Sequence, residues 1–115
     1  MLDQTRAIFK GTPVVSGMAR GRIRTVRGWE KEVALAAETI LIARFPIPRI
    51  SPLLKHASAL LCAYGASDSF LAAQARACGI PAVFNLGGSI EALPEAAWVS
   101  VDGANGLVRC DREHV

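Results

Sequence analysis

The chain has 115 residues, of which 51% are hydrophobic and 20% charged, and its formal net charge is +3 at pH 7. This length predicts a single domain, residues 1–115, that builds its own core. No apolar run approaches the roughly 20 residues of a membrane-spanning helix, and Asp3 and Arg6 are not typical of a signal peptide. We therefore expect a cytoplasmic protein without membrane contact.

The three cysteines, Cys62, Cys78 and Cys110, are odd in number, widely spaced and mostly within apolar stretches. Buried free thiols are therefore a better interpretation than a disulfide framework. No other group of residues resembles a set of metal ligands. The sequence predicts neither a metal site nor a cofactor.

The first half of the chain predicts strands. A short strand within residues 1–10 should end at Gly11 and Pro13, and residues 19–26 alternate so that Arg20, Arg22 and Arg24 share one face. Because no aromatic platform accompanies this row, we interpret it as a solvated face and expect no nucleic acid partner. Residues 28–32, with Trp29, read as a loop, and Thr39–Ala43 is a continuous β-branched run typical of a strand.

Two prolines stiffen residues 45–50, which form either a lid over a neighbouring site or a loop packed on the core. Ser51 and Pro52 then resemble an N-cap and a first helical residue, which predicts a short helix over residues 53–57. His56 falls on this helix, and we interpret it as a surface residue.

The central stretch predicts a strand, a helix and a second strand. Residues 60–66 look like a buried strand that enters a turn of small residues, and Ser67 and Asp68 are N-cap types. The helix should run to Cys78, where Gly79 and Pro81 end it, and residues 80–84 restart as a strand. In this βαβ crossover, the unpaired backbone N–H groups at the start of the helix point outward. α/β proteins tend to bind ligands at such a junction of loop and helix.

After the crossover we expect a turn over residues 85–88 and a short helical piece over residues 89–93, capped by Ser89. A strand over residues 98–101 should then pair with residues 107–110, because residues 102–106 have strong turn chemistry. Residues 111–115 read as a polar tail.

The helix and the strand after it resemble the mobile, phosphohistidine-carrying swivelling domain of phosphoenolpyruvate-utilising enzymes. The family's motif is Gly-Gly-x-x-Ser-His-x-Ala-x-x-Ala-Arg-x-x-Gly-Ile-Pro-Ala-Val, and Ala66 stands in place of its second glycine. The positions that match the motif are Gly65, Ser69, Ala72, Ala75, Arg76, Gly79, Ile80, Pro81, Ala82 and Val83.

The resemblance covers nearly the whole chain. Residues 11–21 are similar to the family's opening Gly-x-Pro-x-Ser-Pro-Gly-x-Ala-x-Gly, and residues 39–44 resemble its central strand and loop. Residues 99–103 together with residues 106–108 resemble its closing hairpin. The family fold implied is an α/β, three-layer β/β/α swivelling domain with compact, barrel-like sheets and a crossover helix.

The histidine that carries the phosphoryl group in this family falls at Phe70. A phenyl ring has no nucleophilic atom, so the resemblance implies a swivelling domain that cannot be phosphorylated at this position. Neither His56 nor His114 matches a position of the motif.

Three functions of different classes remain open. The first is a cofactor-independent cyclase that folds a largely apolar organic substrate for cyclisation or cycloaddition, with orientation contributing roughly 7–11 kcal/mol. Its link to bacterial specialised metabolism of the polyketide or antibiotic kind rests on elimination and on arginine outnumbering lysine ten to three. The second is a regulatory or lid subunit that docks on a larger enzyme. The third is a hydrolase or dehydratase that uses Asp68 or His56, ranked last because a helix start stabilises a carboxylate and makes it a weak base.

The candidate site lies at the start of the helix and on the loop that should face it. The candidate catalytic residues are Ser67, Asp68 and Ser69, which would polarise the substrate or exchange a proton with it. The candidate binding residues are Tyr64, Phe70, Arg44 and Phe45. A homodimer or a larger enzyme would be the protein partner.

Overall fold

A computed structural model describes residues 6–27 and 35–111. The predicted loop around Trp29 and the polar tail beyond Asp111 lie outside these residues. The strands in the described ranges are β1 Arg6–Lys10, β2 Thr12–Val15, β3 Met18–Thr25, β4 Thr39–Ala43, β5 Ala59–Cys62, β6 Ala82–Phe84, β7 Trp98–Asp102 and β8 Leu107–Asp111. Helix α1 is Phe70–Cys78, and two 3₁₀ helices span Pro48–His56 and Gly88–Ala92.

The strands form one eight-stranded sheet in the order β1-β8-β7-β3-β4-β5-β6-β2. Strands β3, β4, β5 and β6 are parallel to one another, and the remaining pairs are antiparallel. Strands β1 and β2 lie at opposite ends of this order, yet Gly11 alone separates them in the chain. The sheet therefore curls on itself into a barrel-like form.

Two apolar cores lie on the two sides of the parallel strands. In β4, Ile40 and Ile42 pack into the cluster inside the curled sheet, and Leu41 packs into the cluster beneath α1 and the first 3₁₀ helix. This alternation follows from the opposite directions of successive strand side chains. The antiparallel strands, the parallel strands and the helices thus form three layers, which confirms the predicted β/β/α class.

The predicted crossover and hairpin are confirmed. Strand β4 has the predicted bounds, α1 connects parallel strands β5 and β6, and β7 pairs with β8. Strand β2 was missed, because Pro13 reads as a strand breaker in sequence. Pro13 is tolerated because β2 is the last strand of the sheet and pairs only with β6. On the other side of β2 there is no neighbouring strand to which a backbone N–H would have to donate.

Several predicted element ends are wrong. The first 3₁₀ helix begins at Pro48 after Ile47, so Ser51 is not its cap and Pro52 lies inside it. The second follows Gly87, and Ser89 is not its cap. Strand β6 begins at Ala82, because the chain needs residues 79–81 to turn from the helix back onto the sheet.

Burial of the cysteines is confirmed for Cys62 and Cys110 and is wrong for Cys78, which is exposed. Cys78 is the last residue of α1, whose buried side is formed by Leu71, Ala72 and Ala75. Among the helices in the described ranges, none is long and apolar enough to cross a membrane.

Candidate functional site

The candidate residues lie at the carboxyl ends of the parallel strands. Strand β4 continues into Arg44 and Phe45, and β5 continues through Tyr64 and the turn at residues 65–69 into α1. Open α/β sheets commonly bind ligands at this edge, because loops and helix starts converge there. The topology therefore places the loop after β4 and the start of α1 at the same edge of the sheet, as the sequence predicts.

Ser69 is the N-cap of α1. Its backbone is extended (φ −70°, ψ 163°), and its Oγ accepts a hydrogen bond from the backbone N–H of Ala72 at 3.3 Å. The prediction that Ser67 and Asp68 cap the helix is wrong, because both lie in the turn before the first helical residue. The hydroxyl of Ser69 is thus engaged in holding the helix start.

Ser67 and Asp68 are exposed, and an arginine from the far end of the helix steadies the turn that carries them. Arg76 Nη2 donates to the carbonyl oxygen of Ser67 at 2.9 Å. The Asp68 carboxylate makes no hydrogen bond or ion pair with any residue that the structure describes. These side chains are available to a ligand but no neighbouring group activates them.

Three aromatic side chains stand out at this edge, and we call Phe45, Tyr64 and Phe70 the aromatic tip. Their exposed fractions are 50%, 44% and 54%. The rings of Phe45 and Tyr64 lie 5.8 Å apart between centroids and are tilted by 36°. Phe70 is the first residue of α1. A contiguous exposed apolar patch, such as neighbouring rings can form, typically marks a partner or ligand site.

The turn beneath the tip is held by Asn85, which the sequence did not single out, and by Gly65, which matches the family motif. Asn85 Oδ1 accepts from the backbone N–H of Gly65 at 3.0 Å, and Asn85 Nδ2 donates to Thr12 Oγ1 at 3.4 Å. A Cβ on Gly65 would lie 2.6 Å from Pro46 Cδ, so this close approach of two loops needs glycine. The signal for Asn85 is its place directly after a strand, since asparagine tolerates the left-handed backbone (φ 58°) found there.

Arg44 and Phe45 also line a cleft of about 390 Å³. Arg44 Nε donates to both carboxylate oxygens of Glu91, at 3.0 and 3.3 Å. The remaining walls come from Thr25, Val26, Arg27 and Ile47. Ser69 and Phe70 do not line this cleft, so the candidate residues divide between the cleft and the aromatic tip.

The two general-base candidates are far apart along the fold. His56 ends the first 3₁₀ helix before the amino end of β5, whereas Asp68 follows the carboxyl end of the same strand. Burial raises the pKa of the Cys62 thiol to about 12, so this thiol is a poor nucleophile at neutral pH. Within residues 6–27 and 35–111, no group of three or more His, Cys, Asp or Glu side chains is placed to hold a metal ion.

Comparison with known proteins gives the same family as the resemblance of the sequence motif. The family model "PEP-utilising enzyme, mobile domain" matches residues 35–106. The phosphoenolpyruvate synthase of Aeropyrum pernix is 33% identical over 109 residues, which cover 93% of this chain. The chain spans only 13% of that enzyme's length.

Solved structures share the fold. A chain in the crystal structure of Thermococcus kodakaraensis aconitase X (holo-form) aligns with a TM-score of 0.71 at 20% identity, covering 90% of this chain and 98% of that one. The solution structure of an Enzyme I protein aligns with a TM-score of 0.58 at 29% identity, covering 67% of this chain and 32% of that one. The fold therefore makes up nearly all of one matched chain and a minor part of another.

Proposed function

This chain belongs to the family of mobile domains of PEP-utilising enzymes, and we propose that it is a docking domain for a larger enzyme rather than a phosphoryl carrier. The observation that carries the proposal is the aromatic tip. Phe70 occupies the first position of α1, where the family resemblance places the phosphorylated histidine, and it is 54% exposed.

Loss of phosphoryl transfer follows from the chemistry of Phe70. An N–P bond needs a ring nitrogen, and a phenyl side chain offers only carbon. The nearest hydroxyl in the chain, that of Ser69, accepts the capping hydrogen bond of α1 and lies at the junction of turn and helix. A carrier role would therefore require a different acceptor, and His56 lies beyond the opposite end of β5.

The apolar, exposed Phe70 at the position of the family's histidine supports retention of a docking surface. A solvated surface position that had only lost its function would tend towards polar residues, because exposed apolar rings cost solubility. Here Phe70 joins Phe45 and Tyr64 at the same edge, and Pro46 and Asn85 hold the intervening turn in place. Rigid aromatic side chains that protrude from a fixed frame are typical anchors of protein interfaces.

The proposal predicts a stoichiometric partner that binds through the tip. The tagged chain, purified from its source cells without denaturation, should carry a larger enzyme, whose affinity is then measured with both purified proteins. Phe70→Asp should weaken binding by at least about tenfold, since truncation of a buried interface anchor typically costs about 2 kcal/mol or more. Aspartate is favourable in the first turn of a helix, so the variant should remain folded.

Phe70→Leu is the matched control, because it keeps an apolar side chain at the same place and should retain most of the affinity. A chain that purifies alone, or a partner held equally well by the aspartate variant, would refute the docking function.

A second candidate is the predicted small-molecule cyclase, and the cleft lined by Arg44 and Phe45 is the observation that favours it. A cleft of about 390 Å³ is within the usual range for small ligands. The Arg44 guanidinium could orient a carbonyl or carboxylate, and Phe45 could pack against the apolar part of a folded substrate.

Native mass spectrometry of the gently purified chain distinguishes the two candidates. A bound small molecule that is lost in Phe45→Ala and kept in Phe70→Asp would favour the cleft and the enzyme. A chain free of small molecules whose partner depends on Phe70 would favour docking.

A further inference from the structure

The outer face of the antiparallel strands is a second surface, separate from the aromatic tip. Val99, Val101 and Val108 point into the core inside the sheet, so the alternate residues of β7 and β8 point outward. The strand register places Arg20 opposite Ser100, Ser100 opposite Arg109, and Arg109 opposite Ile8. One row of side chains thus crosses all four strands β3, β7, β8 and β1.

Trp98 lies at the centre of the basic part of this face. The guanidinium carbons of Arg20 and Arg22 each lie 5.1 Å from the centroid of its ring. Both arginines are exposed, and Arg22 is the direct cross-strand neighbour of Trp98. Two cation–π contacts hold the guanidinium groups in fixed positions, which lowers the entropy they lose when they bind carboxylates.

Large apolar side chains border the arginines. Met18 is 74% exposed and Ile8 is 63% exposed, and both line a shallow groove of about 130 Å³. Arg109 and Leu107 line the same groove. We call Ile8, Met18, Arg20, Arg22, Trp98 and Arg109 together the arginine face.

Among the side chains that the structure describes, two carboxylates lie near this face, and it stays basic when both are counted. Glu95 lies 4.0 Å from Arg24 and accepts from the backbone N–H of Thr25, so it offsets Arg24. Asp102 bonds to the side chain and backbone of Asn105 in the hairpin turn. Asp102 also lines the groove with Arg109, but among the described residues neither carboxylate forms an ion pair with Arg20, Arg22 or Arg109.

We propose that the arginine face binds an acidic protein surface. Charge complementarity selects a partner rich in Asp and Glu, and the exposed Met18 and Ile8 select one that also offers apolar side chains. Arg, Trp and Met are the residue types enriched in the centres of protein interfaces, where lysine is depleted. This inference does not depend on the docking role of the aromatic tip, because it concerns a different face of the sheet.

A single-stranded nucleic acid fits this face less well. Nucleic acid binding uses open aromatic rings on which bases stack, whereas both arginines already lie over Trp98. Asp102 on the same face would repel phosphates, and Met18 and Ile8 offer nothing to a sugar-phosphate backbone.

A defined peptide tests the proposal without knowledge of the natural partner. A synthetic peptide of repeated Glu-Glu-Leu triplets should bind the full chain, and nuclear magnetic resonance should locate the largest shifts at the Trp98 indole and the Arg20 and Arg22 side chains. Binding should weaken as salt is raised, because the charges are exposed. A peptide of repeated Lys-Lys-Leu triplets should not bind.

Two variants of the face and one matched control complete the experiment. Arg20→Glu should weaken peptide binding by about tenfold or more, and so should Arg109→Glu, which keeps the two ring contacts of Trp98 intact. Arg49→Glu changes the net charge equally but lies on the first 3₁₀ helix, and it should change affinity by less than about twofold.

Absence of binding, equal loss in Arg49→Glu, or shifts confined to other faces would overturn the proposal. Tighter binding of oligothymidylate than of the acidic peptide at Trp98 would also overturn it, in favour of a nucleic acid site. Because Phe70 takes no part, these outcomes leave the test of the aromatic tip unaffected.

Discussion

The Oγ of Ser69 accepts a hydrogen bond from the backbone N–H of Ala72 at 3.3 Å, so the residue directly before Phe70 fixes where α1 begins. Replacing Ser69 by alanine should lower the free energy of unfolding by about 1 kcal/mol, the usual cost of a lost N-cap. Urea unfolding followed by circular dichroism measures this change.

Ser67→Ala and Asp68→Ala are the controls for the cap, and each should change stability by less than about 0.5 kcal/mol because both side chains are exposed. A loss in Asp68→Ala as large as that in Ser69→Ala would contradict the assignment.

Gly65 and Pro46 hold the loops of the aromatic tip together. In Gly65→Ala the new Cβ would lie 2.6 Å from Pro46 Cδ, and this overpacking should destabilise the protein by roughly 1–3 kcal/mol. Adding Pro46→Ala should recover part of the loss, because it removes the ring that the Cβ meets. Strictly additive effects in this double-mutant cycle would show that the contact is not the cause.

The Cys62 thiol should make stability depend on pH in the alkaline range. Its pKa rises from 9.0 to about 12 on folding because burial disfavours the thiolate. The resulting stabilisation is fully present below 9.0 and is lost as pH rises towards 12, by up to about 1.4 kcal/mol per pH unit. Unfolding curves between these pH values should therefore be less steeply pH-dependent for Cys62→Ala than for the wild type, and parallel pH profiles would exclude this role.

The exposed Cys78 should be the fast-reacting thiol of the native chain among the three cysteines, because Cys62 and Cys110 are buried. A thiol-specific reagent should label Cys78 first, and the other two should follow only on unfolding. Cys78→Ser, the control, should abolish the fast phase; fast labelling that persists in this variant would contradict the burial of the other two.

Phe70→His should not make the isolated 115-residue chain a phosphoryl acceptor. Ala66 stands where the family motif has its second glycine, and the exposed rings of the aromatic tip surround the position of the acceptor. Radiolabelled phosphoenolpyruvate with a phosphoenolpyruvate synthase provides the assay, and that enzyme's own mobile domain is the positive control. Acid-labile label on the variant would show that the docking geometry is preserved.

The elements with strong local signals were predicted well. Thr39–Ala43 is a run of β-branched and apolar residues buried on both faces, so its sequence alone defines a strand. Gly79 adopts the left-handed backbone (φ 71°) expected of a helix C-cap, and the turn before Leu107 places β8 beside β7. These features depend on neighbours within a few residues, which a sequence displays directly.

The helix start shows how a local signal can be ambiguous. Ser67, Asp68 and Ser69 are all good N-caps, and the choice among them depends on where the turn from β5 brings the chain into helical geometry. Arg76 donates to the carbonyl oxygen of Ser67 and so steadies that turn, a contact that N-cap preferences alone do not reveal. Sequence periodicity over nine residues could not distinguish a helix that begins at Phe70 from one that begins earlier.

The sequence by itself determined the family, the central strand–helix–strand unit, the closing hairpin and the absence of a phosphorylatable side chain at Phe70, because motif spacing and side-chain chemistry are local properties. Only the tertiary structure decided that the rings of Phe45 and Tyr64 lie 5.8 Å apart between centroids, and that Arg20 and Arg22 both lie over Trp98. Strand register sets these neighbours, and it arises from pairings across the whole sheet, which the residues of any one strand do not specify.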